Sequence, residues 1–410
     1  MFDNIFNKKK KEEKEEKEEK EEKEEKEDFD LYGDLDFYNM EDEYCLDNCN
    51  NFQIDKISKR IIFSRNAIIN SNNLNDTKYL IVKELGNGVF SNVYLVYAKN
   101  KNDLEFDYKK KYVLKATRSK NLYAKQAVKE YQYYKKLDNK SKFVVHYFDF
   151  FNIPNKTSVV TPCLVLEYCN DNFYTYIKNN FRRYYGLNVN ILLIAAKAII
   201  LGTDFLHQNN IIHCDLKPEN IVIDYHNNCK IIDLGSAIKP GYKENNCYMQ
   251  SRYYRAPNCI VACDINPRID YWSIGCILYE ALTMIPLFAK QNERDLLFKQ
   301  LRFIEIPLDK INYNCPLVHS LWNYKIKKWR FKVEKKSLFD YLNLVLKSKY
   351  INRMLHERDW IFDTTNGYYS LIKMCISDHY NVNKNDYVKQ LENVETKYKS
   401  ESKFPAIATV

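Results

Sequence analysis

The chain has 410 residues, 63 Lys and Arg against 54 Asp and Glu, and a formal net charge of +9. Its 9 glycines are about a third of the usual share, which excludes collagen-like and Gly-rich architectures. Its 45% apolar and 15% aromatic residues exclude wholesale disorder and suffice for a large core. The charge is segregated: residues 1–50 hold nine lysines and twenty acidic residues, net −11, which leaves +20 on the remainder. An acidic arm thus precedes a basic body, a split that suits anionic partners without naming one.

Lys8–Glu27 is a Lys-Glu-Glu tract whose Glu-to-Lys i,i+4 pairs support a solvated helix with no apolar face. Asp28–Asp47 stays acidic and adds Phe29, Tyr32, Phe37, Tyr38 and Tyr44, a mixture that suits short partner-docking motifs. Residues 1–60 are read as a charged, disordered arm. The first residues lack the apolar segment of a secretory signal, so an intracellular protein is expected. The longest apolar stretch, Ile191–Leu201, is about half a bilayer span and contains Lys197, so no membrane segment is expected. Twelve cysteines without a CxxC pair read as reduced thiols, Cys45/Cys49 and Cys259/Cys263 included.

From Tyr79 the runs YLIVKELGNGVF, NVYLVYAK and KYVLKA are β-branched segments broken at turns and predict antiparallel strands. Asn121–Leu137 has a helical pattern, and FVVHYFDFF and PCLVLEY predict two more strands. After Asn170 the chain turns mainly helical, with Asn188–Gln208 and Ile269–Thr283 as buried helices. The expected fold is α+β: a small β-rich lobe joined to a larger helical one. In so glycine-poor a chain, Gly86, Gly88, Gly235 and Gly275 are expected where the backbone demands them.

Gly86 and Gly88 lie between two strand-like runs, where a glycine-bearing hairpin can fold over phosphates. Lys115 ends the third strand, and Glu130 in the following helix can steady its ammonium against a nucleotide. The segment Ile211–Asn220 concentrates a base, a cation and an amide oxygen in one loop after a buried helix. Thirteen residues beyond Asn220 comes Asp233-Leu234-Gly235. A carboxylate and an amide so placed can hold Mg²⁺, a hard cation that prefers oxygen ligands.

This ordered set resembles the eukaryotic protein kinases over about residues 79–395. The glycine loop matches at Gly86, Gly88 and Ser91, the strand lysine at Lys115, and its helix partner at Glu130. The HRDxKxxxN loop matches at His213, Cys214, Asp215, Lys217 and Asn220, and DFG at Asp233, Leu234 and Gly235. The resemblance implies an N-lobe over 79–166, a hinge over 167–171, a C-lobe over 172–395 and a tail over 396–410. It implies ATP held by Leu85, Gly86, Asn87, Gly88, Val93, Val113, Lys115, Glu130, Glu167, Cys169 and Val222, with Mg²⁺ on Asn220 and Asp233. Asp215 is expected to accept the substrate proton and Lys217 to steady the γ-phosphate. Lysine two positions after the aspartate looks like the Ser/Thr kinases.

The segment Cys247–Pro257 resembles the activation segment of the CMGC group, within it the dual-specificity tyrosine-regulated (DYRK) and pre-mRNA splicing kinases. Tyr248 matches their activating tyrosine, whose phosphate Arg252 and Arg255 are expected to bind. HCDLKPEN and Lys125-Gln126-Ala127 look like the DYRK side. GVFSNV, DLGSA and IDYWSIGCILYEALT look like the splicing side, to which the balance leans.

Four positions depart from the family pattern. Cys214 replaces an arginine that usually grips an activation-loop phosphate, Leu234 replaces Phe, and Val113 stands for the alanine over the adenine. Asn258 replaces the glutamate of Ala-Pro-Glu, and Asp378–Val382 shows no arginine to match it, a coordinated loss of one buried ion pair. Lys325–Lys336, KIKKWRFKVEKK, is read as a solvated insert with its aromatics turned inward, and the alternative is a surface for an anionic partner. The function expected is a Ser/Thr kinase that autophosphorylates Tyr248 and modifies nuclear, splicing-associated proteins. A pseudokinase scaffold is the alternative. Direct nucleic-acid binding is not expected, and the nucleus is favoured over the cytoplasm.

Overall fold

The computed structural model describes residues 52–55, 58–71, 76–88, 90–153, 161–184, 189–242, 249–261, 265–350, 367–379 and 383–401. The Lys8–Glu27 tract, the aromatic arm segment, Cys45, Cys49, Cys263 and Tyr248 lie outside them. The chain divides into two compact units, Met1–Gln126 with Phe150–Cys163 and Ala127–Asp149 with Leu164–Val410.

The first unit is built on strands β1 (Phe52–Ile54), β2 (Ile61–Phe63), β3 (Ile68–Asn70), β4 (Lys78–Asn87), β5 (Ser91–Lys99) and β6 (Lys111–Thr117). With β7 (Tyr147–Ile153) and β8 (Thr161–Glu167), the last four form a six-stranded sheet in the order β3-β4-β5-β6-β8-β7. The pairs from β3 to β6 are antiparallel. Along β5 and β6 the alternation puts Tyr94, Leu114 and Ala116 into the core, as a half-buried strand requires.

The strands at 52–70 were not expected, and β1 lies within the span read as a disordered arm. The cause is tertiary. Ile61 and Phe63 bury themselves on β5, where the Tyr94 hydroxyl donates to the Ile61 carbonyl at 2.9 Å. The Phe63 and Tyr94 rings meet edge to face at 5.0 Å. β1 then pairs with β2.

The second unit is mainly helical. Its helices are α1 (Asn121–Leu137, from residue 127 onward), α2 (Phe173–Tyr184), α3 (Val189–Gln208), α4 (Pro257–Ile260) and α5 (Arg268–Thr283). They continue as α6 (Glu293–Gln300), α7 (Pro316–Leu321), α8 (Leu338–Tyr350), α9 (Tyr368–Ile376) and α10 (Lys384–Glu401). α3 is apolar and long enough to pass for a membrane span, but most of it is buried inside the protein. It packs on β11 (Cys229–Ile231), α5 and α10.

Strand β10 (Ile221–Ile223) pairs with β11 on one side and with β9 (Asp171–Asn172) on the other. The hairpin β12 (Trp322–Asn323) and β13 (Lys328–Trp329) completes the sheets. The expected strand FVVHYFDFF begins only at Tyr147. Residues 143–145 instead bond β11, with Ile231 N–H donating to Phe143 O and Val145 N–H to Ile231 O.

Most of α1, expected with the β-rich lobe, groups with the helical unit because its bonds lead there. Lys136 Nζ donates to the Asn209 carbonyl, and the Tyr134 hydroxyl accepts from Asp233 N–H at 3.2 Å. Two glycines mark close approaches in the core. A Cβ on Gly275 of α5 would stand 2.6 Å from the Cys375 Cβ of α9, and one on Gly202 of α3 would stand 2.9 Å from the Phe143 carbonyl.

Candidate active site

In the β-rich unit, three strands align the residues expected to meet a nucleotide. Gly86 pairs with Val93 across β4 and β5, Val93 pairs with Lys115 across β5 and β6, and Leu95 pairs with Val113. Because side chains alternate along a strand, Val93, Val113 and Lys115 share one face. Leu85, Gly86, Asn87 and Gly88 are exposed at the hairpin tip. A Cβ on Gly86 would meet nothing within 4 Å, so neither packing nor a left-handed backbone demands glycine there. The tip is tied down from β6: the Arg118 guanidinium donates to Gly88 O at 2.7 Å, and Arg118 N–H donates to Phe90 O at 2.9 Å.

In the helical unit, Asp215 sits in a dense polar cluster. Lys217 Nζ donates to Asp215 Oδ2 at 2.6 Å and to Ser251 Oγ at 3.2 Å. The Ser251 hydroxyl donates to Asp215 Oδ1 at 2.7 Å, and Ser251 N–H donates to the same oxygen at 3.1 Å. Asn220 Nδ2 donates to the Asp215 carbonyl at 2.8 Å and to Oδ2 at 3.2 Å. The carboxylate is therefore fixed in place, and charge-assisted bonds of this kind are short and strong.

The loop beneath is anchored by Asp270 of α5, which is fully buried. Its Oδ2 accepts from His213 N–H at 2.8 Å and bonds His207 Nε2 at 2.8 Å, while Oδ1 accepts from Cys214 N–H at 3.0 Å. Those bonds hold Cys214 in the left-handed region, φ 62°. Burial, then the Asp270 carboxylate, pushes the Cys214 thiol far up, so it stays protonated. Sequence reading gave no role to Asp270 or Ser251. A buried carboxylate in an apolar helix was the available signal for the first, and a serine opening the SRYYR run for the second.

Asp233 also sits in the left-handed region, φ 67°, and its side chain accepts from Gly235 N–H. Its segment joins Asn220's through Ile232 N–H, which donates to Asn220 O at 3.0 Å. Asn220 spends its Nδ2 on Asp215, which leaves Oδ1 as an acceptor. One carboxylate and one amide oxygen suit a divalent cation that takes its other ligands from phosphates and water. Glu130 lies near Asp233: burial, then the Glu130 and Asp233 carboxylates, raise the Tyr134 hydroxyl well above its usual range.

The expected hinge residues are also tied to β10 and β11. Lys230 Nζ donates to both oxygens of Glu167 at 2.6 and 2.7 Å, and His146 N–H donates to Glu167 Oε2 at 3.1 Å. Asn170 N–H donates to Ile223 O, and Val222 pairs with Asn172. Burial pushes the half-buried Cys169 thiol up to about 12, which leaves it a poor nucleophile.

A family model, the protein kinase domain, matches residues 79–362. The chain belongs to the protein kinase family. It is similar to dual specificity tyrosine-phosphorylation-regulated kinase 3 of Rattus norvegicus, 35% identical over 57% of this chain and 38% of that one. It is also similar to dual specificity tyrosine-phosphorylation-regulated kinase mbk-2 of Caenorhabditis elegans, 30% identical over 57% of this chain and 27% of that one. Serine/threonine-protein kinase prp4 of Schizosaccharomyces pombe is 32% identical over 54% of this chain and 45% of its own. The matched segment thus spans less than half the length of these relatives.

Within that family the chain is similar to DYRK kinases and to prp4, and its fold is the α+β kinase fold, with a β-rich N-lobe and a helical C-lobe. Both branches weighed on sequence are among its relatives. A protein kinase domain implies ATP and a divalent metal.

The departures acquire physical content in this kinase. Asn258, in α4, accepts through Oδ1 from His379 Nε2 at 3.0 Å, with both residues buried. Burial, then the nearby Arg268 charge, pushes His379 down to about 3. A neutral pair thus stands where an ion pair was expected to be missing at both ends, and the burial site stays hydrogen-bonded without charge.

Arg255 is buried and committed: Nη1 meets Glu293 at 2.5 Å, while Nε and Nη2 donate to the Met249 and Gln250 carbonyls. Arg252 Nη1 donates to Gln291 O at 2.7 Å.

Proposed function

We propose that the chain is an ATP-dependent Ser/Thr protein kinase that uses Mg²⁺, autophosphorylates Tyr248 and acts on nuclear, splicing-associated proteins. The observation that carries the reading is the Asp215 cluster: one carboxylate oriented by Lys217, Ser251 and Asn220, 2.6–3.2 Å away.

Asp215 accepts the proton of a Ser or Thr hydroxyl as that oxygen bonds to the γ-phosphorus and the bond to the ADP oxygen breaks. Lys217 offsets the charge on the transferred group, and Lys115 does so along the phosphate chain. Asn220 and Asp233 would hold Mg²⁺, which supplies charge neutralisation between the phosphates. Positioning and electrostatics carry the rate, since no covalent enzyme intermediate is needed.

The inward packing of Arg255 bears on control. A phosphate on Tyr248 would compete with the Gln291 carbonyl for Arg252 and with Glu293 for Arg255 Nη1. The similarity to dual specificity tyrosine-phosphorylation-regulated kinases supports Tyr248 as the autophosphorylation site. Similarity to the splicing kinases, with the basic body, supports the substrate class and a nuclear location.

Incubation of the purified chain with Mg-ATP followed by phosphopeptide mass spectrometry tests the reading. Phosphate is expected on Tyr248 and on an added Ser/Thr substrate, and Asp215→Asn is expected to lower the rate by roughly 10²–10⁴. Phosphate on neither, together with no thermal stabilisation by Mg-ATP, would favour the scaffold.

A further inference from the structure

The insert Lys325–Lys336 and the segment before it enclose a groove of about 950 Å³ in the helical unit. Its floor is apolar. Trp329 meets Trp322 edge-on at 4.9 Å, and Phe331 lies 3.8 Å from Phe298 of α6, centroid to centroid. Ile306 is buried beside them, and Leu308, 51% exposed, stands among the lining residues.

The rim is cationic. Arg302 pairs with Glu334 and Lys335 with Glu305. Lys327, Lys328 and Lys336, all exposed and all lining the groove, form no ion pair among the described residues. Glu305 and Ile306 form part of one wall.

We propose that this groove docks an extended acidic peptide segment of a protein partner, with apolar side chains seated on the Trp329–Phe331 floor. Charge complementarity selects the acidic partner, since three lysines that pair with no acid among the described residues line one trough. An apolar floor beside a cationic rim suits a peptide, because alternate side chains of an extended chain can reach both. Nucleic acid fits less well. Trp322 is 3% exposed, and Trp329 and Phe331 turn toward neighbouring rings, so no open stack of platforms is offered to bases. The inference goes beyond the phosphoryl-transfer reading and needs only binding.

Fluorescence anisotropy with the full-length chain tests it. The probe is a labelled peptide of Asp-Glu pairs alternating with Leu, about 12 residues and roughly 40 Å when extended. Its controls are the same peptide with Lys for every acid and a poly(U) RNA of matched charge. Binding of the acidic peptide that weakens with salt is expected. The Lys327→Glu/Lys328→Glu double variant should weaken it by on the order of tenfold, and Leu308→Asp by a few-fold. Lys83→Glu/Lys109→Glu, in the β-rich unit, should leave it unchanged, and so should Asp215→Asn, which separates this result from the kinase test.

Circular dichroism melts establish that the variants fold. Tighter binding of RNA lost in the same variants, equal weakening by the Lys83/Lys109 pair, or no binding of the acidic peptide would each overturn the proposal.

Discussion

Ser251 is the residue whose role the structure adds to the site. Its hydroxyl bridges Asp215 Oδ1 and Lys217 Nζ, so Ser251→Ala removes two contacts to charged groups. A hydrogen bond to a charged group is worth about 1.5–3 kcal/mol, so kcat should fall by roughly 10–100-fold with little change in Tm. Ser251→Thr should restore most of it, and failure of that rescue would show that the hydroxyl is not the operative feature. Arg118 is a second case: Arg118→Ala frees Gly88 O and should raise KM for ATP more than it lowers kcat.

Among the elements, α5 is the central one, and its tolerance to change follows from its contacts. The α5–α9 approach at Gly275 leaves 2.6 Å for a Cβ, a distance real side chains do not occupy. Gly275→Ala should therefore cost about 1–3 kcal/mol, measured by chemical denaturation. Gly202→Ala should behave alike, because the obstacle is the Phe143 carbonyl rather than a flexible side chain. In α4, Asn258→Ala removes the acceptor of the His379 ring N–H, a loss of about 1–3 kcal/mol in the same assay.

For the whole molecule, the buried carboxylate of Glu280 sets a pH dependence. The Tyr254 hydroxyl donates to it at 2.7 Å, yet burial raises its pKa from 4.5 to about 7. The folded state therefore binds this proton more tightly than the unfolded chain. Its contribution to stability is full below pH 4.5 and is lost as pH rises through 7. The shift corresponds to at most about 3 kcal/mol. Glu280→Gln should thus gain on the parent between pH 5 and pH 8 and hold that gain above. A gap in Tm that does not widen with pH would refute the argument.

Much of this protein was legible in its sequence because local chemistry is written locally. The glycine hairpin, the run around Asp215 and the Asp233 segment each carry their residues within about ten positions. The strands from Tyr79 and the buried helices follow from alternation and apolar periodicity alone.

Other features were decided only by tertiary contact. The strands before Tyr79 exist because Ile61 and Phe63 find a face on β5. Asp270 and Ser251 matter because folding brings Asp270 to the Cys214 backbone from 56 positions away and Ser251 to Asp215 from 36. His379 supplies the neutral partner of Asn258 from 121 positions away, and Gly202 is confined as Gly275 is, whereas Gly86 is not. The physical reason is one of range: propensity and turn chemistry act between neighbours in the chain, whereas burial and hydrogen-bond satisfaction act between neighbours in space.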